Sequence, residues 1–254
     1  MKLALAQLDL VSRDVEANIT KSKNFAQDAA ERGAELLVLP EVFSSGFFFL
    51  EGEEAIEAGE KSEAALKDIA TEHGLYVCGS FARLKKGEEK PENLFQMWGP
   101  EGKILEYSKI HLFSYAGEDK RYKAGGKLVE AKVKGLSIRP LICYDLRFDY
   151  CFSKGAEDIN LYIVPANWPS ERQAHWETLL QARAIDTQAW VAGVNRVGKG
   201  GKFHYLGGSM LISPKGEIVS RGSGSQGLVL GNLDTTSVDS WRSTFPSSND
   251  RIAL

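Results

Sequence analysis

The sequence predicts an α/β fold in which two mixed β-sheets are covered by helices. Continuous apolar runs, such as the one at 35–39, are typical of strands that are buried on both faces. Turn sequences such as GPEG at 99–102 and PKG at 214–216 separate other apolar runs and indicate antiparallel hairpins. Because parallel crossovers and hairpins both occur, with helices at intervals, we expect mixed sheets in layers.

The first elements predict a parallel strand–helix–strand unit. Residues 2–8 alternate between apolar and polar and indicate a strand. Asp14 can cap a helix that runs to Arg32, and Gly33 can end it. The apolar run at 35–39 is the second strand, and units of this length are right-handed.

The rest of the chain continues the alternation of strands and helices. Residues 114–127 are polar, charged and glycine-containing, and they predict an irregular functional loop. We interpret residues 1–254 as a single domain with a C-terminal tail from about residue 234 that contains a short helix. The other predicted elements are helices at 62–73, 145–154 and 172–188 and strands at 75–83, 94–98, 103–107, 128–133, 136–142, 159–164, 190–196, 206–212, 217–221 and 227–233.

Composition excludes several classes of protein. The 31 basic and 34 acidic residues of the 254-residue chain nearly cancel, giving a net charge of −3, so no nucleic-acid surface is indicated. Three well-separated cysteines argue against a disulfide framework and for a reducing compartment. The N-terminal apolar run is short for a secretory signal, and no run has the length of a membrane span. We therefore predict a cytoplasmic protein with no membrane partner.

Cys143 stands where an apolar strand ends, in the sequence LICYDLRF at 141–148. Asp145 is a suitable N-cap for a helix that follows through Ser153. A nearby helix N-terminus favours the thiolate, and the backbone N–H of Tyr144 can point at an oxyanion. Taken alone, Cys143 could equally be a small buried hydrophobic residue.

Glu41 and Lys109 also follow apolar strands. Strand ends are where chemistry collects in layered α/β folds, because the strands fix positions while the loops beyond them can contact a ligand. Each residue has a structural alternative, since Glu41 could cap a turn and Lys109 could be a solvated surface charge.

Three motifs in this order resemble those of the nitrilase superfamily of carbon–nitrogen hydrolases. They are LPE at 39–41, KIHLF at 109–113 and ICYDLRF at 142–148, and the resemblance continues through PANWP, HW, ARAIDTQAW, NRVG and SPKGE over essentially the whole chain. It implies a four-layer αββα sandwich and, commonly, a homodimer. CYD resembles the amidase side of the superfamily, and ANWP, HW and HY are most similar to the ω-amidases. Asp149 departs from the pattern, which usually has Pro after RF.

The resemblance implies a role for each matching residue. Cys143 would be the nucleophile, Glu41 the general base and acid, and Lys109 the cation that stabilises the oxyanion together with the Tyr144 N–H. Glu118 matches the second glutamate of the family, and Asp119 is its nearest rival. No cofactor is implied, and Cys78, Cys143 and Cys151 lack the spacing of zinc ligands.

The predicted reaction is hydrolysis of a linear amide through a thioester on Cys143. A thiol is mostly protonated at neutral pH, so Glu41 must take its proton and later deliver it to the departing ammonia. The resemblance to ω-amidases implies the terminal amide of a short α-keto acid monoamide, such as 2-oxoglutaramate or 2-oxosuccinamate. Another amidase or an N-carbamoyl hydrolase of the same superfamily is the alternative.

Two other classes of function stay open on the sequence. A Cys–His hydrolase could use one of the four histidines, although none lies in a local protease motif. A non-catalytic binding protein on this fold would be expected to have lost one of the three site positions, and all three are present.

An arginine is expected to hold the carboxylate of a monoamide acid, because its guanidinium group can form two parallel hydrogen bonds. Arg172, which follows ANWP, is the predicted anchor, with a solvated arginine at a helix start as the alternative. Arg147 is expected instead to pair with a neighbouring carboxylate. Trp168 is predicted to form an apolar wall for the short carbon chain.

Overall fold

In the computed structural model of the protein, the structure describes residues 1–250. In chain order the strands are β1 Lys2–Gln7, β2 Leu36–Val38, β3 Tyr76–Arg83, β4 Glu92–Gly99, β5 Gly102–Ser108, β6 Ala131–Val133, β7 Leu136–Pro140, β8 Leu161–Ala166, β9 Trp190–Asn195, β10 Val197–Gly200, β11 Phe203–Leu206, β12 Met210–Ile212, β13 Ile218–Arg221 and β14 Gly227–Asn232.

Two six-stranded sheets share the same plan. The first has the order β14-β1-β2-β3-β4-β5, and the second has the order β13-β12-β9-β8-β7-β6. Three parallel strands form the centre of each sheet, β1, β2 and β3 in the first and β7, β8 and β9 in the second. Antiparallel strands flank them. β10 and β11 form a separate hairpin.

Helices cover the outer faces of the two sheets, which gives the predicted αββα sandwich. The α-helices are α1 Val15–Glu31, α2 Gly52–His73, α3 Glu118–Arg121, α4 Tyr150–Ser153, α5 Gln173–Thr187 and α6 Ser237–Thr244. Shorter 3₁₀ turns span Ser114–Ala116, Cys143–Arg147, Ala156–Asp158, Ser170–Arg172 and Ser247–Asp250.

Alternation along the strands builds two apolar layers around the first sheet. Leu3 and Leu5 of β1 face the second sheet, where they join a buried cluster with residues such as Ile163. Ala4 and Ala6 face outward and pack in a cluster with α1 and α2. In the second sheet, a Cβ added at Gly193 of β9 would lie 2.5 Å from the Leu180 side chain of α5. The missing side chain therefore lets α5 pack close to β9.

The second helix begins earlier than predicted, at Gly52 rather than near residue 62. Its first turns contain few large apolar residues, and sequence periodicity alone therefore misses them. Ala55 and Ala58 are buried in a small cluster with Tyr122, and a Cβ at Gly59 would lie 3.1 Å from the Ala82 carbonyl oxygen. Tertiary packing therefore stabilises this part of the helix.

The predicted loop at 114–127 contains a 3₁₀ turn and the short helix α3, and its other residues are irregular. The expected short helix in the C-terminal tail is α6, and the Trp190 indole N–H donates to Ser237 Oγ at its start. The last four residues of the predicted tail, 251–254, lie outside the described residues. Within 1–250, no helix has both the length and the apolar character needed to cross a membrane.

Candidate active site

Three strand ends bring Glu41, Lys109 and Cys143 to one place. Glu41 follows β2, Lys109 follows β5, and Cys143 begins the 3₁₀ turn after β7. The side chains of Glu41 and Lys109 have no exposed surface, and Cys143 is 8% exposed. The sequence motifs therefore meet in a buried cluster to which both sheets contribute.

Lys109 lies between two carboxylates. Its Nζ donates to Glu41 Oε1 at 2.7 Å and to Glu118 Oε2 at 2.8 Å. Burial opposes the charge on Lys109, but the carboxylates of Glu118 and Glu41 raise its pKa above the ordinary value, so the ammonium persists. Glu118, the first residue of α3, has a raised pKa because it is buried and lies near Glu41.

Two asparagines fix the orientation of Glu41. Asn93 Nδ2 donates to Glu41 Oε1 at 2.9 Å and to Glu118 Oε1 at 3.2 Å. The backbone N–H of Asn167 donates to Glu41 Oε2 at 2.9 Å, and its Nδ2 donates to the Glu41 carbonyl at 2.7 Å. Because Oε1 already accepts from both Lys109 and Asn93, Oε2 is the oxygen better placed to exchange a proton.

Cys143 is held in a left-handed backbone conformation, with φ at 44°, which is uncommon for a residue with a Cβ. Burial raises the pKa of its thiol well above the ordinary value, and the charge of Glu41 adds to this effect while Lys109 opposes it. The thiol therefore lies close enough to Glu41 and Lys109 for both charges to act on it. The expected stabilisation of the thiolate by a helix N-terminus is therefore wrong, since burial and Glu41 both favour the thiol form of Cys143.

Asp145 does not cap the predicted helix. Its Oδ2 accepts from the Ile142 N–H at 2.9 Å and from the Tyr107 hydroxyl at 2.7 Å, while Oδ1 contacts His111 Nδ1 at 2.7 Å. The chain instead forms the 3₁₀ turn Cys143–Arg147 and then the short helix α4. Tyr107 and His111, which are distant in sequence, contact the Asp145 side chain in the folded protein.

His111 is engaged with residues other than Cys143. Its Nδ1 contacts Asp145 and lies 3.8 Å from Cys151 Sγ, and its ring stacks on Phe148 with centroids 3.7 Å apart. Because Asp145 and Cys151, not Cys143, are the partners of Nδ1, this contact pattern disfavours the Cys–His alternative for His111.

A group of possible metal ligands also lies here. Donor atoms of His111, Asp145 and Cys151 lie within 4.8 Å of one another. Both Asp145 oxygens already accept hydrogen bonds, one of them from the His111 backbone N–H at 2.9 Å. This arrangement is satisfied by protein partners, and we assign it a structural role.

A cavity lies above Cys143 and is walled largely by aromatic rings. All three residues predicted to bind substrate, Tyr144, Trp168 and Arg172, line it. Sequence reasoning did not single out Phe47, Phe113, Phe203 and Tyr205, which complete the wall. These residues come from loops and from β11, so no single stretch of sequence indicates that they belong together.

Two arginines face this cavity in different ways. Arg172 lies with its guanidinium 5.5 Å from the centroid of the Phe113 ring, and its Nη2 is buried with no hydrogen-bond partner among the described residues. Arg147 packs 4.8 Å from the Trp168 ring, and its Nη2 lies 3.2 Å from His175 Nδ1. The expectation that Arg147 pairs with a carboxylate is therefore wrong, because an aromatic face and an imidazole hold it instead.

Residues 2–243 match the carbon-nitrogen hydrolase family. The chain belongs to this family. Omega-amidase YafV of Escherichia coli (strain K12) is 37% identical to it, over 98% of this chain and 96% of that protein. The 2-oxoglutaramate amidase of Bacillus subtilis (strain 168) is 30% identical over 98% of this chain and 96% of its own length.

Solved structures of the same superfamily have the same fold. XC1258 from Xanthomonas campestris, a CN-hydrolase superfamily protein, superposes with a TM-score of 0.91 at 30% identity, covering 100% of this chain and 98% of that one. Saccharomyces cerevisiae Nit3 superposes with a TM-score of 0.88 at 25% identity, covering 97% and 94%. The four-layer fold expected from the motifs of this carbon–nitrogen hydrolase is thereby confirmed.

Sequence reasoning missed Asn93 and Asn167 as parts of the site. Each had a weak signal: Asn93 is a fully buried polar residue near the start of the mostly apolar strand β4, and Asn167 is the Asn of PANWP. A polar side chain in a buried strand needs a partner, but the sequence does not say that the partner is Glu41.

Proposed function

We propose that this carbon–nitrogen hydrolase releases ammonia from the terminal amide of a short dicarboxylic acid monoamide through a thioester on Cys143. The observation that carries the proposal is the buried Lys109 ammonium, held between the carboxylates of Glu41 and Glu118 and next to the Cys143 thiol. Cys143 lines a cavity that also contains Arg172, and the buried side chains of Glu41 and Lys109 lie behind it as base and cation.

The first step forms the bond between sulfur and carbon. Glu41 takes the thiol proton as Cys143 Sγ attacks the amide carbon, because the raised pKa of the thiol leaves little free thiolate. Lys109 has three N–H donors, of which two can serve Glu41 and Glu118. The third donor and the Tyr144 N–H stabilise the oxyanion, where loss of one donor typically costs ~3 kcal/mol.

The second half of the reaction uses the proton that Glu41 has gained. Glu41 transfers it to the amide nitrogen, the carbon–nitrogen bond breaks, and ammonia leaves a thioester on Cys143. Glu41 then removes a proton from water, which attacks the thioester carbon. Cleavage of the carbon–sulfur bond releases the acid and restores the thiol.

The charges around the cavity favour a keto acid monoamide over an amino acid amide. Arg147 and Arg172 face the cavity, and none of the described side chains that line it carries a carboxylate. The unpartnered Nη2 of Arg172 fits one carboxylate of the substrate. The α-ammonium of glutamine would instead lie near two guanidinium groups. The names of the omega-amidase and 2-oxoglutaramate amidase relatives support the same class, with 2-oxoglutaramate and 2-oxosuccinamate as the proposed substrates.

Ammonia release tests this proposal. Purified protein is incubated with 2-oxoglutaramate, 2-oxosuccinamate, glutamine, asparagine and an N-carbamoyl amino acid, and ammonia and carbon dioxide are both measured. We expect ammonia from the two keto acid monoamides, little from the amino acids, and no carbon dioxide. Preference for glutamine would contradict the assignment of the substrate class, and carbon dioxide release would favour an N-carbamoyl hydrolase.

The enzyme is further proposed to be a cytoplasmic homodimer. Three free thiols, including the nucleophile, suit a reducing compartment. Exposed apolar side chains such as Ile185 and Phe245 are of the kind that a second subunit would cover. Light scattering at working concentration tests the dimer, and a monomer mass would contradict it.

A further inference from the structure

Asn167 has one polar atom that the protein does not use. Its backbone N–H and its Nδ2 both donate to Glu41. Its Oδ1 is buried and has no hydrogen-bond partner among residues 1–250. The residue is only 4% exposed, and it lines the cavity above Cys143. The donation by Nδ2 fixes the side-chain orientation, so the amide cannot flip to satisfy the oxygen in another way.

We propose that Asn167 Oδ1 binds the scissile amide of the substrate by accepting one of its N–H hydrogens. A buried acceptor left without a partner is unfavourable, and in native structures it usually has a functional explanation. A primary amide supplies the missing donor. Asn167 would thereby select an amide nitrogen over the oxygen of an ester, which carries no hydrogen to donate.

The position of Glu41 supports this assignment. The amide nitrogen must lie close to the carboxylate oxygen that delivers its proton, and Oε2 is the oxygen not held by Lys109 or Asn93. Asn167 contacts that same oxygen through its backbone N–H. A nitrogen that approaches Glu41 Oε2 therefore lies beside Asn167, where one of its hydrogens can reach Oδ1.

This inference rests on the proposed amidase function and adds a basis for leaving-group selectivity. The same oxygen can accept a hydrogen from ammonia as the carbon–nitrogen bond breaks, which keeps the nitrogen aligned with Glu41. A methyl ester of the same acid would place an oxygen lone pair toward Oδ1, and two acceptors repel.

The test compares an amide and an ester that share one acyl group. Glutaramate and monomethyl glutarate are assayed by ammonia and methanol release, and kcat/KM is used because it reports formation of the common thioester. Asn167→Ala should lower kcat/KM for the amide about 10-fold more than for the ester, in line with one lost hydrogen bond. Loss of the contact from Nδ2 to the Glu41 carbonyl should slow both substrates, and the Asn93→Ala control measures any unequal effect of a displaced Glu41.

Asn93→Ala is the matched control. Asn93 also donates to Glu41 and also has a buried Oδ1 with no partner in the described chain, but it is not among the residues that line the cavity. Its replacement should slow both substrates and leave the amide-to-ester ratio within about 2-fold of the parent, a change smaller than one hydrogen bond.

Asn167→Asp gives a second measurement if the alanine variant does not fold. It keeps an acceptor oxygen and removes the Nδ2 donor, so both rates should fall while the ratio stays near that of the parent. Equal losses on amide and ester in Asn167→Ala, or a lost preference in Asn167→Asp, would overturn the inference. A parent protein that hydrolyses neither glutaramate nor a keto acid monoamide would instead overturn the proposed function.

Discussion

Asn167 and Glu41 are 126 residues apart in the chain, and two hydrogen bonds of 2.9 and 2.7 Å join them. Asn167 follows β8 in the second sheet, and Glu41 follows β2 in the first. Glu41, the proposed base, is therefore oriented by a residue from the opposite sheet. Any displacement of one sheet against the other changes the distance between the base and Cys143.

Replacement of Cys143, the proposed nucleophile, should abolish turnover and preserve the fold. Cys143→Ala removes one sulfur atom and leaves the contacts among Glu41, Lys109 and Glu118 intact. We expect ammonia release from 2-oxoglutaramate to fall by at least 10³-fold, since the covalent route is lost, with a melting temperature close to that of the parent. A variant that retains a tenth of the parent rate would show that another group is the nucleophile.

Replacement of Lys109 should harm both activity and stability. Lys109→Met removes the cation from two fully buried carboxylates, and such uncompensated burial typically costs about 3–5 kcal/mol in the free energy of unfolding. We also expect kcat to fall by at least about 100-fold through loss of an oxyanion donor. Urea unfolding and steady-state kinetics measure the two effects separately.

The double variant Lys109→Met with Glu118→Gln is the matched control for Lys109. It removes one of the two negative charges and should recover part of the lost stability without recovering activity. If Lys109→Met unfolds at the same urea concentration as the parent, the ion pairs with Glu41 and Glu118 contribute nothing measurable to folding.

Alkylation of Cys143 should depend on Glu41 rather than on the ordinary ionisation of a thiol. Burial raises the pKa of Cys143 in the folded chain, so the unfolded chain loses this proton first and stability falls as pH rises above about 8.5. With iodoacetamide, labelling of the folded protein should therefore show no step near pH 8.5. Glu41→Gln should slow labelling, because the base that takes the proton is gone.

Peptide mass mapping provides the comparison for alkylation. Cys143 should be labelled before Cys78 and Cys151, because it lines the cavity while the other two are fully buried. Burial also raises the pKa of the Cys151 thiol to about 12. The guanidinium-unfolded chain should show the ordinary step near pH 8.5 at all three thiols. A step at that pH in the folded protein would indicate that free thiolate is the reacting species.

Replacement of Arg172 should weaken the binding of charged substrates selectively. Arg172→Ala is expected to raise KM for glutaramate by about 10- to 100-fold, the loss expected for a hydrogen-bonded charge pair. The uncharged diamide of the same length should show little further loss. Arg147→Ala is the control, because Arg147 packs on Trp168 and its loss should affect both substrates. Equal effects of Arg172→Ala on the two substrates would exclude it as the carboxylate anchor.

Several features of the fold could be predicted because they depend on local pattern. Asp14 caps α1 by accepting from the Ala17 N–H at 3.0 Å, as a polar residue before an amphipathic run predicts. The hairpin of β4 and β5 forms about the expected turn. In contrast, the sequence around Asp145 predicts a helix cap, but Tyr107 and His111 from another part of the chain bind its side chain.

The sequence by itself determined the family, most of the strands and helices, and which carboxylate, ammonium and thiol stand at strand ends, because residue type and spacing are local properties. It did not predict the hairpin of β10 and β11, which falls between and across two predicted strands. Only the tertiary structure decided how those groups act on one another. The raised pKa of the Cys143 thiol follows from burial and from Glu41, which lies on another strand end. The aromatic cavity and the unused Oδ1 of Asn167 likewise depend on which atoms the two packed sheets bring together, and linear spacing does not report those distances.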